Sequence, residues 1–254
     1  MKSIFLAFAM FSRIPMPMTE WNEKNRRFIL AAFPLIGASI GLALWLWQLL
    51  CAHMACSSVL WAALCALIPL FVTGGIHMDG FADTVDARAS HAPVEKKRQI
   101  LKDPNSGAFA VIAVGSYLLL HFALLHQLPC TRQTVFSLAL IHMFSRTFSG
   151  LVSLFFPGAN GKGLLSAFRE SANARLCGYI LTGWMILLSI PAVMLLGWYG
   201  ILLPAASLLM AAYVYRVATR EFGGMSGDLS GYFLQLAEMA MLILLVLMER
   251  GLFV

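Results

Sequence analysis

The sequence predicts an all-α fold: a polytopic transmembrane helix bundle of about seven spans, with its N-terminus on the cytoplasmic side. Three observations predict it. The 254 residues are 60% hydrophobic and only 12% charged, far outside the mix of a soluble domain. The apolar residues fall in blocks of about 20, the length of helix that crosses a hydrocarbon core roughly 30 Å thick. If the N-terminus lies inside, fifteen of the eighteen Lys and Arg residues fall on that side; only Arg132 and Arg250 fall opposite, and Arg146 lies inside a block. Such a bias orients a membrane protein with its basic loops in the cytoplasm.

Taken in order, the stretch from Ile4 to Phe11 is short and runs into Arg13-Ile-Pro-Met-Pro17 without a small-residue cleavage site. It reads as an interfacial helix ending at Pro15, not as a cleaved leader. Apolar blocks follow at about 29–50, 56–76, 107–127, 134–156, 176–196, 198–217 and 231–248, each a candidate span. The fifth and sixth are divided only by Gly197-Trp-Tyr-Gly200, a tight turn with aromatics suited to a membrane interface. No linker or fixed-period repeat separates domains, so residues 1–254 read as one integral membrane domain.

A net charge of +6 invites a nucleic-acid reading, but the basic clusters lie between apolar blocks without the aromatic interleaving that stacks bases. No nucleic acid is expected as a partner; the lipid bilayer is. Cys51, Cys56, Cys65, Cys130 and Cys177 form neither a CxxC pair nor a zinc-finger spacing, which argues against a structural metal or a disulfide framework.

The sharpest stretch is Gly74-Gly75-Ile-His77-Met-Asp79-Gly80-Phe-Ala-Asp83-Thr-Val-Asp86, at the cytoplasmic end of the second block. On a helix of about 3.6 residues per turn, offsets of four and seven put Asp79, Asp83 and Asp86 on nearly one face. Carboxylates this close repel unless cations intervene, and Mg²⁺ held by a few carboxylates together with substrate phosphates is the usual solution. The plainer alternative is a solvated acidic face just beyond the membrane, with Asp79 capping the helix. His77 points away from the aspartate face and reads equally as a capping residue or a ligand.

A second candidate is Gly223-Gly224-Met-Ser-Gly227-Asp228-Leu-Ser-Gly231. Its glycines allow close backbone approach to a ligand, and a helix N-terminus favours phosphate, while Asp228 suits a metal or a helix cap. Arg13, Lys102 and Lys162 are candidate phosphate contacts or, individually, topology and headgroup residues. Gly161-Lys162-Gly163 lacks the remainder of a P-loop. Arg146 and Glu238 lie deep in apolar blocks, where an unpaired charge costs several kcal/mol; a structural ion pair is expected. His142, one turn before Arg146, is expected to hydrogen-bond between helices.

At this point the motifs resemble a known family, the cobalamin synthases, or adenosylcobinamide-GDP ribazoletransferases. Phe11-Ser-Arg-Ile-Pro-Met-Pro17 is similar to the family's amino-terminal signature, and Gly74 to Asp86 to its acidic core. Leu101-Lys-Asp-Pro-Asn-Ser-Gly107-Ala-Phe-Ala-Val-Ile112, Phe144-Ser-Arg146, and Gly224-Met-Ser-Gly-Asp228 with Glu238 follow in family order, with departures at Pro104-Asn105, Ala108 and Leu229-Ser-Gly-Tyr232. The resemblance implies a prokaryotic enzyme of the cytoplasmic (inner) membrane, its active site on the cytoplasmic side. It implies transfer of α-ribazole, or its 5′-phosphate, onto adenosylcobinamide-GDP, with release of GMP and formation of adenosylcobalamin or its phosphate. The attacking group is taken to be the ribazole 5′-hydroxyl. Such displacement at phosphorus needs in-line positioning and charge neutralisation.

On this reading Asp79, Asp83, Asp86 and Asp228 hold one or two Mg²⁺ ions. Asp83, Asp86 and His77 are the catalytic candidates; one of the aspartates, Asp86 the first choice, is the candidate acceptor of the hydroxyl proton. Arg13, Lys102, Asp103, Gly224 and Gly227 are the substrate-binding candidates. Self-association and contact with other cobalamin-pathway enzymes are further expectations.

Rival readings are weaker. A CDP-alcohol phosphotransferase shares the aspartate logic, and Asp83-Thr-Val-Asp86-Ala-Arg88 echoes the first half of that pattern, but its second pair of aspartates does not follow. An ion-coupled transporter would place its acidic residues near the midplane of repeated, broken helices. A prenyltransferase would carry a second Asp-rich motif.

Overall fold

The computed structural model describes residues 1–159 and 164–251; Lys162 therefore lies outside the described residues. Among these the only regular elements are helices, with one isolated bridge between Gly158 and Met225. The chain opens with α1 (Lys2–Phe11) and the single turn α2 (Glu23–Arg26), then α3 (Phe33–His53) and α4 (Ser58–Thr73). Next come α5 (Ile76–Ala89), α6 (Val94–Ile100), α7 (Ala108–His126) and α8 (Arg132–Phe155). The order ends with α9 (Leu164–Ser171), α10 (Ala174–Leu196), α11 (Leu202–Glu221) and α12 (Gly227–Glu249).

The protein is a multi-pass membrane helix bundle. Five helical runs are long and apolar enough to span, and the bent pair α4–α5 brings the number to as many as six. One of the five is the 48-residue run Ala174–Glu221, which folds back on itself. Gly197 adopts φ 61°, and a Cβ on Gly200 would lie 2.4 Å from the Ala192 carbonyl carbon. In a continuous helix those residues would be about 12 Å apart along the axis. The chain therefore reverses at the Gly-Trp-Tyr-Gly segment, giving two helices.

Apolar sequence alone does not say which helix lies inside. Here α8 is central, 78% of its most apolar window being buried, and it packs on α3, α10, α11 and α12. Small residues permit the α3 contact: a Cβ on Gly37 would stand 2.5 Å from the His142 carbonyl oxygen, and one on Gly41 would stand 2.6 Å from the Ala139 Cβ. Close backbone approach of this kind is how helices pack where lipid removes the hydrophobic drive.

The acidic stretch lies at the end of the second apolar block but on a helix of its own: α4 ends at Thr73, and α5 leaves at 95° to it. Gly74 and Gly75 are both left-handed, with φ 67° and 80°. Consecutive residues in that conformation break an α-helix, and only glycine adopts it without steric cost. The turn sets α5 against α12 and α7, and so positions the aspartates.

Candidate functional site

The acidic residues sit on one stripe of α5. Asp79 is exposed and Asp83 and Asp86 are half-buried, whereas His77, Met78, Gly80, Phe81, Ala82 and Thr84 between and before them are buried against neighbouring helices. The three carboxylates accept no hydrogen bond and join no ion pair among the described residues. α12 supplies a fourth acid from the side. A Cβ on Gly80 would lie 2.8 Å from the Asp228 Cα, and one on Gly231 would lie 2.8 Å from the His77 carbonyl oxygen. These two glycines let the first turns of α5 and α12 cross in near contact. Asp83 consequently feels the negative charges of Asp79, Asp228 and Asp86 together.

α7 closes the other side. A Cβ on Gly107, which caps α7, would stand 2.3 Å from both oxygens of Asp86. The Leu101–Gly107 loop thus reaches the site through Gly107. Lys102 on that loop is exposed and has no side-chain partner among the described residues; Asp103, also exposed, accepts hydrogen bonds from the Asn105 backbone and side chain, both 2.9 Å. Those bonds hold the Asp103 carboxyl below its ordinary range.

Arg13 lies across the glycine turn, its Cγ and Nε each 3.0 Å from where a Gly74 Cβ would be, and its backbone N–H donates to the Val72 carbonyl at 2.8 Å. The guanidinium is exposed and has no hydrogen-bond or ion-pair partner among the described residues. It faces a cavity of about 780 Å³ whose lining includes Gly74, Gly75, Asp79, Leu70, Phe71 and Val114.

His77 is not gathered with the aspartates. Its ring is 6% exposed, stands 6.2 Å from Phe11 and 5.5 Å from Phe33 between centroids, and both ring nitrogens lack a partner among the described residues. Gly224 and Gly227 also differ from each other. At Gly224, φ is 141° and a Cβ would strike the Gly158 carbonyl carbon at 2.3 Å, so its close approach is to the chain itself; Gly227, the first residue of α12, is open. Asp228 follows it, and the hydroxyl of Ser226 accepts from the Leu229 N–H at 3.3 Å.

The expected deep ion pair is present: Arg146 Nη1 donates to Glu238 Oε1, which also takes bonds from Ser145 Oγ at 2.8 Å and pairs with His142 Nδ1 at 2.9 Å. His142 thus joins α8 to α12. A group the sequence did not single out lies at the ends of α5, α6 and α11. Glu221 accepts from Arg88 Nη2 at 3.0 Å and Lys97 Nζ at 2.7 Å, while Arg88 also donates to the hydroxyls of Tyr232 at 2.7 Å and Tyr213 at 2.9 Å. Arg88 and Glu221 are 133 positions apart, so no local spacing could reveal the pair. Arg88, the basic residue closest in sequence to Asp86, is thereby committed to Glu221.

Among the described residues no group of three or more His, Cys, Asp and Glu side chains stands close enough to hold a metal ion by itself. The donor chemistry nevertheless fits a hard divalent cation: four carboxylates from two helices that join no ion pair among the described residues. Mg²⁺ keeps several waters and is commonly bound by one or two carboxylates plus substrate phosphates, so it does not require a closed protein cage.

The family model described as cobalamin-5-phosphate synthase matches residues 3–246. The chain is 35% identical over 249 residues to an adenosylcobinamide-GDP ribazoletransferase of Lachnoclostridium phytofermentans, covering 98% of this chain and 95% of that one. Proteins of the same name from Clostridium perfringens and Desulfitobacterium hafniense are 32% and 31% identical; each match covers 96% of this chain, and 97% and 96% of the respective relatives. No solved structure matches the chain.

Proposed function

Because the chain belongs to the cobalamin-5-phosphate synthase family, we propose that it joins α-ribazole or α-ribazole 5′-phosphate to adenosylcobinamide-GDP and releases GMP. The observation that carries the proposal is the family match over nearly the whole chain. The product is adenosylcobalamin or its 5′-phosphate, completing the nucleotide loop. α-Ribazole 5′-phosphate has no free 5′-hydroxyl, so with that substrate the attack comes from another ribose hydroxyl; this amends the expectation drawn from the sequence. The hydroxyl oxygen bonds to the phosphorus that bears the cobinamide, and the bond from that phosphorus to the GMP oxygen breaks.

The residues divide this work. Arg13, beside the glycine turn and without a partner among the described residues, is suited to hold a phosphate oxygen, and Lys102 on its exposed loop is suited to reach the diphosphate. Asp79, Asp83, Asp86 and Asp228 are the residues that would hold Mg²⁺. Bound there, the ion would neutralise charge on the diphosphate. Asp83 and Asp86, which have no hydrogen-bond partner among the described residues, are the acceptors available for the hydroxyl proton. His77, sealed among aromatic rings, is better suited to supporting α5 than to proton transfer. Topology follows the basic residues: seven spans, the N-terminus and the acidic site in the cytoplasm, the C-terminus outside, in the cytoplasmic membrane of a prokaryote.

The test is turnover by the protein in nanodiscs with adenosylcobinamide-GDP, α-ribazole 5′-phosphate and Mg²⁺. GMP formed only when both substrates are present, and lost in Asp83→Asn, supports the proposal. Folded protein that releases no GMP, but releases CMP from a CDP-alcohol and an acceptor, overturns it.

A further inference from the structure

The cavity beside Arg13 carries two kinds of surface. Its lining includes Arg13, Asp79 and the Gly74-Gly75 turn together with apolar residues, Leu70 and Phe71 of α4, Ile76 of α5 and Val114 of α7. Phe71 is 62% exposed and Ile76 40%, so the cavity carries exposed apolar side chains where α4 and α5 meet. A lipid-facing flank needs only apolar side chains. A concavity that joins an exposed guanidinium and carboxylate to apolar side chains suits a ligand carrying both charged and apolar groups.

We propose that this cavity holds the corrinoid half of adenosylcobinamide-GDP, its macrocycle against Leu70, Phe71, Ile76 and Val114 and its phosphate-bearing arm at Arg13. The inference rests on the transferase reading and adds where the larger substrate lies. Three features argue for this occupant. About 780 Å³ lies in the upper part of the range for organic ligand pockets, and a nucleoside such as ribazole would leave most of it unfilled. A corrin offers a broad ring and peripheral methyl groups to the apolar lining residues, while its amides and phosphate need polar partners such as Arg13. The cavity and the aspartate stripe meet at Asp79, which belongs to both, so a phosphate held at Arg13 lies beside the acids suited to its transfer. A phospholipid headgroup would satisfy Arg13 but gives no reason for that meeting.

The experiment uses Val114→Trp, which fills the cavity from α7, in the full chain in nanodiscs, with thermal unfolding to confirm the fold and Val114→Leu as the milder variant. Each substrate is varied in turn, and binding of adenosylcobinamide, which lacks the nucleotide, is followed by its visible absorbance in equilibrium dialysis. The expected result is a KM for adenosylcobinamide-GDP raised about tenfold or more, the scale of a pocket contact. The KM for α-ribazole 5′-phosphate should stay within about twofold, inside the tenfold that marks a pocket contact, and adenosylcobinamide binding should weaken in parallel. An increase confined to the ribazole KM, or variants that match the parent in both constants and in binding, overturns the assignment. If added phospholipid competes with adenosylcobinamide in the parent but the variants bind it equally, the cavity is a lipid site and the proposal falls. Parent protein that is folded yet releases no GMP sinks the transferase reading instead, so the two failures are distinct.

Discussion

Gly80 of α5 lies directly against the backbone of Asp228 at the start of α12: a Cβ at 80 would be 2.8 Å from both the Asp228 Cα and its carbonyl oxygen. The fourth aspartate can join the other three only while residue 80 has no side chain. Gly80→Leu is therefore expected to push the first turn of α12 away and to lower kcat more than about 100-fold, since a displacement of about 1 Å at a phosphoryl-transfer site costs on that order. Steady-state GMP release beside a thermal-unfolding curve checks it. Near-normal turnover would mean that Asp228 is not needed next to Asp83.

Gly107 makes a comparable contact from the opposite side, with Asp86. Gly107→Ala places a methyl where the carboxylate now is. The outcome expected is a raised Mg²⁺ requirement for turnover, partly restored at high metal, because Asp86 must turn aside while the other acids stay. A magnesium titration of activity is the measurement, and an unchanged half-saturation point would contradict it.

The Arg146–Glu238 pair joins α8 to α12 beneath the site. Glu238→Leu leaves a buried guanidinium unpaired, and stability should fall by about 3–5 kcal/mol, the cost of breaking a buried pair from one side. The double variant Arg146→Met with Glu238→Leu should recover most of that loss, because both charges are gone. Denaturant titration in mixed micelles reads both; equal losses in single and double variants would remove the pair as the cause.

Topology makes a prediction of its own. Cys130, exposed in the connection between α7 and α8, falls on the outer face if the N-terminus is cytoplasmic. With the other cysteines replaced by serine, Cys130 should react with a membrane-impermeant maleimide in intact cells. A cysteine at position 96, made by Lys96→Cys in the same background with Cys130 also removed, should react only after permeabilisation. The reverse pattern would invert the bundle.

How far the sequence could be read follows from which interactions are local. The apolar blocks were legible because a span needs an unbroken apolar run, and the aspartate stripe because offsets of four and seven are a property of one helix. The sharp break at Gly74-Gly75 was not, since glycine permits the left-handed conformation without requiring it, and only the docking of α5 on α12 selects it. Arg88 with Glu221, and Gly107 with Asp86, escaped for another reason: they join distant segments, and nothing in either segment alone requires the other. Gly224 looked like an approach to a ligand, but its neighbour is Gly158. His77 sat in the acidic motif by sequence while its ring packs among Phe11 and Phe33.

The claim on which the rest depends is that acids from α5 and α12 share a divalent cation. Mn²⁺ titration of the purified protein, followed by the loss of the free-ion electron paramagnetic resonance signal, tests it without turnover. Saturable binding displaced by Mg²⁺, and strongly weakened in both Asp83→Asn and Asp228→Asn, is the expected result. Binding that is absent from the folded parent with adenosylcobinamide-GDP present, or that survives unchanged in Asp228→Asn, would contradict it.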